Sequence, residues 1–113
     1  MKLSTKEVDR VTVVALVGSV LGGPDATSLN NELHKLVERR KTKIVVDLSA
    51  VQSMNSSGLA MLIEAMKTMK DANGHLKIAA ASKKIESLMS MTKLSTIFEL
   101  YPSVKKAVAS FST

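Results

Sequence analysis

Cysteine is absent from this 113-residue chain. That excludes disulfides, thiolate metal sites and thiol catalysis, and it fits a reducing compartment. Aromatic residues are nearly absent too: Phe98, Tyr101 and Phe111 are the whole set. A surface that stacks nucleic-acid bases needs more of them. Histidine occurs at His34 and His75 only, forty-one positions apart and with no carboxylate cluster beside either. No metal site and no imidazole base is built from that. Long apolar runs are missing as well. Val11 to Leu21 is interrupted by Thr12, Gly18 and Ser19 and is too short to cross a bilayer. The opening "MKLSTKEVDR" has no apolar stretch behind a basic end, so no signal peptide is expected and a cytoplasmic protein is.

What is present is a globular composition. Hydrophobic residues make up 45% of the chain, enough for a core of Leu, Ile, Val, Ala and Met. The internal methionines suit gap-filling, because their unbranched side chains adapt to irregular spaces. One domain over residues 1–113 is expected, with its core at about 8–111. The net charge is +6, with basic clusters at Glu38 to Lys43, Lys83-Lys84 and Lys105-Lys106. No motif presents these as a set, so they read as solvated helix ends and a bias towards acidic partners.

The periodicity alternates. "VTVVALV", 11–17, reads as a strand, with Glu7 to Arg10 as the front of a hairpin or of the same strand. Residues 18–28 are rich in Gly, Pro, Asp and Ser and read as a loop. A helix follows over 26–40, with Leu29, Leu33, Leu36 and Val37 on one face and Asp25 or Thr27 as its cap. "KIVVDLS", 43–49, is a buried central strand. A helix over 57–72 carries Leu59, Leu62, Ile63, Met66 and Met69 inward, is capped by Ser56 or Ser57 and is stopped by a left-handed Gly74. A strand over 76–81, a helix over 82–92 capped by Ser82, a short strand in "STIFEL" and a helix over 102–111 with Pro102 in its first turn complete the chain. This order predicts an α/β fold: a mixed, mostly parallel sheet of four to five strands with about four helices.

In such sheets functional groups gather where strands end and helices begin. The stretch "SMNSSGLAML", 53–62, lies at such an edge. A nucleophile elbow needs G-x-S-x-G, but the leading glycine is missing and no base is placed for a triad. The glycines of "GSVLGGPDATS" lack the lysine of a phosphate-binding loop, and no dinucleotide fingerprint occurs. Asp47 has neither the acidic pair nor the lysine of a phosphorylated receiver aspartate, and reads as a local backbone acceptor. Enzyme chemistry and cofactors are therefore not expected. A serine pair at a helix start remains, open to a capping role or to modification.

The segment "VVDLSAVQSMNSSGLAML", Val45 to Leu62, resembles the STAS domain of bacterial anti-sigma factor antagonists: an apolar strand, D-x-S, then an apolar-flanked S-S-G. The ending "LSTIFELYPSVKKAVASF" is similar to the family's C-terminal strand and helix. The resemblance implies a protein-binding regulator that sequesters an anti-sigma factor, itself a serine kinase of the histidine-kinase-like ATPase type. Phosphorylation would fall on the second residue of the S-S-G triplet, Ser57, with Ser56 the second candidate. A PP2C-type phosphatase would reverse it. The same resemblance places Gly22, Gly23, Asp25, Asn55, Ser56, Ser57, Gly58 and Leu59 at the partner surface. It implies no direct contact with nucleic acid or membrane, and a monomer is expected. Asn55 departs from the family's usual aspartate. A phosphorylation-independent scaffold, or a domain sensing a nucleotide or lipid, is the alternative the resemblance leaves open.

Overall fold

The β-branched run at 11–17 extends further than its composition suggests. In the computed structural model, which describes residues 1–112, β2 spans Val11–Val20 and lies second in a five-stranded sheet. The edge strand before it, β1 (Lys2–Val8), pairs antiparallel with β2 across a two-residue turn. Asp9 (φ 51°) and Arg10 (φ 69°) are both left-handed in that turn, as a tight hairpin requires. Only the end of this hairpin was expected from sequence. β1 is polar and mostly exposed, which suits an edge strand but leaves little apolar period to read.

β3 (Lys43–Met54) runs parallel to β2 and continues five residues past the expected end. Two register shifts explain the misleading polar residues. β3 carries an extra residue between the pairs Ala15–Asp47 and Val17–Ala50, and another between Gly18–Val51 and Ser19–Ser53. At the first bulge the Ser49 N–H donates to Asp47 Oδ1 at 2.9 Å, so Asp47 is the local backbone acceptor that its sequence context suggested. β4 (His75–Ala79) and β5 (Leu100–Tyr101) add in parallel, giving the order β1-β2-β3-β4-β5.

Three helices cover one face: α1 (Pro24–Glu38), α2 (Ser56–Asp71) and α3 (Lys83–Met91). Leu29, Leu33 and Leu36 of α1, Leu59, Met61, Leu62, Ala65 and Met69 of α2, and Ile85 and Met89 of α3 close over Val14, Leu16, Ile44, Val46, Leu48 and Ile78 of the sheet. Ile63 and Met66 lie at the margin of this core, half-buried. The opposite face is covered by α4 (Val104–Ser110), whose Ala107 and Val108 pack on Val11, Val13, Val45 and Ala79. Lys77 points to this side, where its Nζ donates to Ser110 Oγ at 2.6 Å and lies 4.2 Å from the Phe111 ring centroid.

Several helix ends differ in detail from expectation. Gly23 is the N-cap of α1 and contributes no side-chain bond; neither Asp25 nor Thr27 caps. Asn73, with φ 59°, takes the left-handed stop of α2 in place of Gly74. Gly74 is needed for a different reason: a Cβ there would sit 2.6 Å from the Thr42 carbonyl oxygen. Pro102 lies just outside α4, whose cap is Ser103, accepting from the Lys106 N–H at 3.1 Å. Ser82 caps α3 as expected, accepting from the Ile85 N–H at 3.2 Å.

Candidate functional site

β2 and β3 end together, with Val20 paired to Met54. Just before, the Ser53 hydroxyl donates to Ser19 Oγ at 2.9 Å and ties the two ends. From this shared end the chain turns twice, through Leu21–Gly23 into α1 and through Asn55 into α2. The loop expected at 18–28 thus shrinks to three residues.

Two glycines bring the turns together. A Cβ on Gly58 would fall inside contact distance of the Val20 carbonyl oxygen, 2.8 Å from its carbonyl carbon and 3.0 Å from Met54 Cγ. The first turn of α2 therefore rests directly on the backbone of β2. Gly22 (φ 83°) sits against Ser57: a Cβ on Gly22 would lie 2.7 Å from Ser57 Cβ. No other residue type combines that backbone with that proximity.

Asn55, not a serine, is the N-cap of α2. Its Oδ1 accepts from the Gly58 N–H at 2.8 Å, and its backbone carbonyl accepts from the Leu59 N–H at 2.9 Å. Ser56 and Ser57 then occupy the first helical turn, and both are exposed. Their hydroxyls are relieved of the capping task. The backbone N–H groups of such a turn and the positive end of the helix favour negative charge. Asp25 stands half-buried across the gap, and its Oδ2 accepts from the Leu21 N–H at 3.3 Å. Gly22, Gly23, Asp25, Asn55, Ser56, Ser57, Gly58 and Leu59 thus converge on one edge of the sheet. Their roles differ from expectation in one respect. Leu59 is 2% exposed and belongs to the core, and Gly58 and Gly22 are buried too, so all three lie beneath the exposed Asn55, Ser56 and Ser57.

The sequence reading missed Leu21, an apolar side chain 51% exposed immediately before Gly22. It also missed a groove of about 390 Å³ lined by Met54, Lys84, Ile85, Ser87, Leu88 and Met91. Met54 links that groove to Gly58. Neither feature has a motif; each depends on strand ends and a helix meeting in space. Leu21 adds apolar surface next to Gly22, and Met54 brings the edge of the groove to the residue before Asn55.

His34 is exposed on α1, and His75 opens β4 beside Lys43, at the far end of the strands from Ser57. Among the described residues no group of three or more His, Cys, Asp or Glu could hold a metal ion, and no helix is long and apolar enough to cross a membrane.

The STAS domain family model matches residues 2–107. BtrV of Bordetella bronchiseptica, provisionally named an anti-sigma factor antagonist, is 25% identical over 113 residues, covering 100% of this chain and 97% of its own. The crystal structure of a Thermotoga maritima protein under the same provisional name superimposes with a TM-score of 0.87 at 20% identity, over 98% of this chain and 95% of that one. The Bacillus cell fate determinant SpoIIAA, in its phosphorylated form, superimposes with a TM-score of 0.74 at 14% identity, over 97% of this chain and 99% of that one. The family model covers nearly the whole chain and the overall fold agrees with it: this chain belongs to the STAS domain family.

Proposed function

We infer that the protein is an anti-sigma factor antagonist that docks its partner on the Leu21–Asp25 and Asn55–Ser57 surface and is released by phosphorylation of Ser57. The carrying observation is the division of labour at the start of α2. Asn55 supplies the cap, so the neighbouring exposed serine hydroxyls are available for chemistry while the fold stands without them. A phosphate on Ser57 meets the amides and positive end of α2, so the domain tolerates it. The same group, with a charge of about −2, projects from the exposed Ser57 beside the buried Gly22 and obstructs close packing of a partner there. Driving a complex from almost fully bound to almost fully free takes about 5 kcal/mol of differential affinity. A buried, unpaired phosphate at an apolar interface supplies an energy of that order.

The partner in this reading is an anti-sigma factor that is also a serine kinase of the histidine-kinase-like ATPase type, and a PP2C-type phosphatase restores the free serine. The relatives' names and the phosphorylated SpoIIAA structure support the direction of this reading. Exposure to the cognate kinase and ATP should add one phosphate, mapped by mass spectrometry to Ser57 and abolished in Ser57→Ala. Phosphate on another residue, or none, would defeat the switch and favour a phosphorylation-independent scaffold.

A further inference from the structure

We propose that the end of the molecule opposite Ser57 carries an anion site for a small phosphate-bearing ligand. Where β2 and β3 begin, a groove of about 290 Å³ is lined by Glu7, Arg10, Arg40, Lys41, Thr42 and Lys43. Four of these side chains are cationic. The one carboxylate among them, Glu7, is engaged by Lys41 in an ion pair. Arg10, Arg40 and Lys43 thus remain in excess around the groove.

Two turns from different elements bring the arginines to the groove. Arg10 and Arg40 are both left-handed, at φ 69° and 60°. Arg10 is the second residue of the β1–β2 turn, a position where glycine is favoured. Arg40 follows the end of α1, where Arg40 N–H donates to the Val37 carbonyl at 2.9 Å and Lys41 N–H to the Leu36 carbonyl at 2.8 Å. That pairing is the helix stop at which glycine is again the least strained choice. Two turns from different elements each hold an arginine where glycine fits best, and both arginines line one groove. Asp9, Asn73, Ala80 and Lys93 also have positive φ, so what sets Arg10 and Arg40 apart is that both line the groove.

The chemistry fits a phosphoryl group. The planar guanidinium fork matches paired phosphate oxygens, and Lys43 adds a point charge. The volume admits a phosphoryl head with the rest of the ligand projecting into solvent. An extended nucleic acid fits less well, because Lys83-Lys84 and Lys105-Lys106 lie on other elements, α3 and α4. The ten residues of β2 place this groove about 30 Å from Ser57, so occupancy leaves the partner surface open.

The test is an NMR amide-shift titration of the full chain with inorganic phosphate and, separately, with ATP, against sodium chloride at matched ionic strength. Saturable shifts confined to Arg10, Arg40, Thr42 and Lys43 are expected. Equal affinity for both probes identifies the phosphoryl group alone as the ligand; at least tenfold tighter ATP binding identifies a nucleotide. The Arg10→Gly/Arg40→Gly variant should bind at least tenfold more weakly with a Tm at or above that of the parent, since glycine suits both turns. Arg10→Gln/Arg40→Gln should lose binding equally while keeping side-chain bulk. Shifts reproduced by sodium chloride, or variants that bind like the parent, would overturn the proposal.

Discussion

Gly58→Ala offers the sharpest test of how the site is built. In an ordinary helix the change stabilises by up to about 1 kcal/mol, because alanine is the better helix former. Here the new Cβ meets the Val20 carbonyl oxygen inside contact distance and Met54 Cγ at 3.0 Å. Met54 is a flexible side chain and can yield. The Val20 carbonyl yields less easily: β1 reaches only to Val17, but Val20 is paired with Met54 of β3. Either α2 must lift away from the sheet or the end of β2 must bend. Overpacking of this kind typically costs 1–3 kcal/mol, and a rigid backbone obstacle favours the upper half of that range. Net of the propensity gain, the expected loss is about 1–2 kcal/mol, or a Tm lower by roughly 4–10 °C for a chain of this size. Urea unfolding with an unchanged m-value would report it cleanly. Gly23→Ala isolates backbone strain instead: its added Cβ meets nothing within 4 Å, but φ 59° with ψ −125° is a conformation that suits glycine alone, at a cost of about 1–3 kcal/mol. A Gly58→Ala protein as stable as the parent would refute the direct seating of α2 on β2.

Three further outcomes follow from the same geometry. Asn55→Ala should lose about 1 kcal/mol of stability with the cap to Gly58, measured by urea unfolding, whereas Asn55→Asp should retain it. Leu21→Asp should leave stability within about 0.5 kcal/mol, since the side chain is 51% exposed, yet weaken partner binding at least tenfold by calorimetry. Lys77→Ala should destabilise by about 1–3 kcal/mol in thermal melts, because it removes the bond to Ser110 and the cation over the Phe111 ring; Lys77→Met, which keeps the apolar stem, should recover part of that loss.

Much of this fold is readable from residue order, because the buried strands and amphipathic helices carry strong periods. The failures have physical causes. β1 is an exposed polar edge strand, and its pairing rather than its composition makes it a strand. The end of β3 is hidden by two bulges, which place polar residues in the strand without ending it. The cap of α2, expected at Ser56 or Ser57, falls one residue earlier on Asn55, whose side chain is equally suited to accept the Gly58 N–H. Leu59 illustrates the reverse error. The motif resemblance put it at the surface, while its own place on the apolar stripe of α2 already pointed inward. The S-S-G triplet was visible from the start, but not the reason for its glycine. Gly22 and Gly58 serve tertiary contacts with Ser57 and Val20, and such contacts leave no local pattern.

In the proposed switch, one phosphate on Ser57 separates the bound from the free state without unfolding the domain. The direct measurement is the affinity of the unphosphorylated and the stoichiometrically Ser57-phosphorylated protein for the cognate anti-sigma factor, by calorimetry, with thermal melts of both forms alongside. Affinity should fall on the order of 10³–10⁴-fold while the Tm changes by no more than a few degrees. Equal affinity of the two forms, or a phosphorylated protein that loses binding only because it has unfolded, would contradict it.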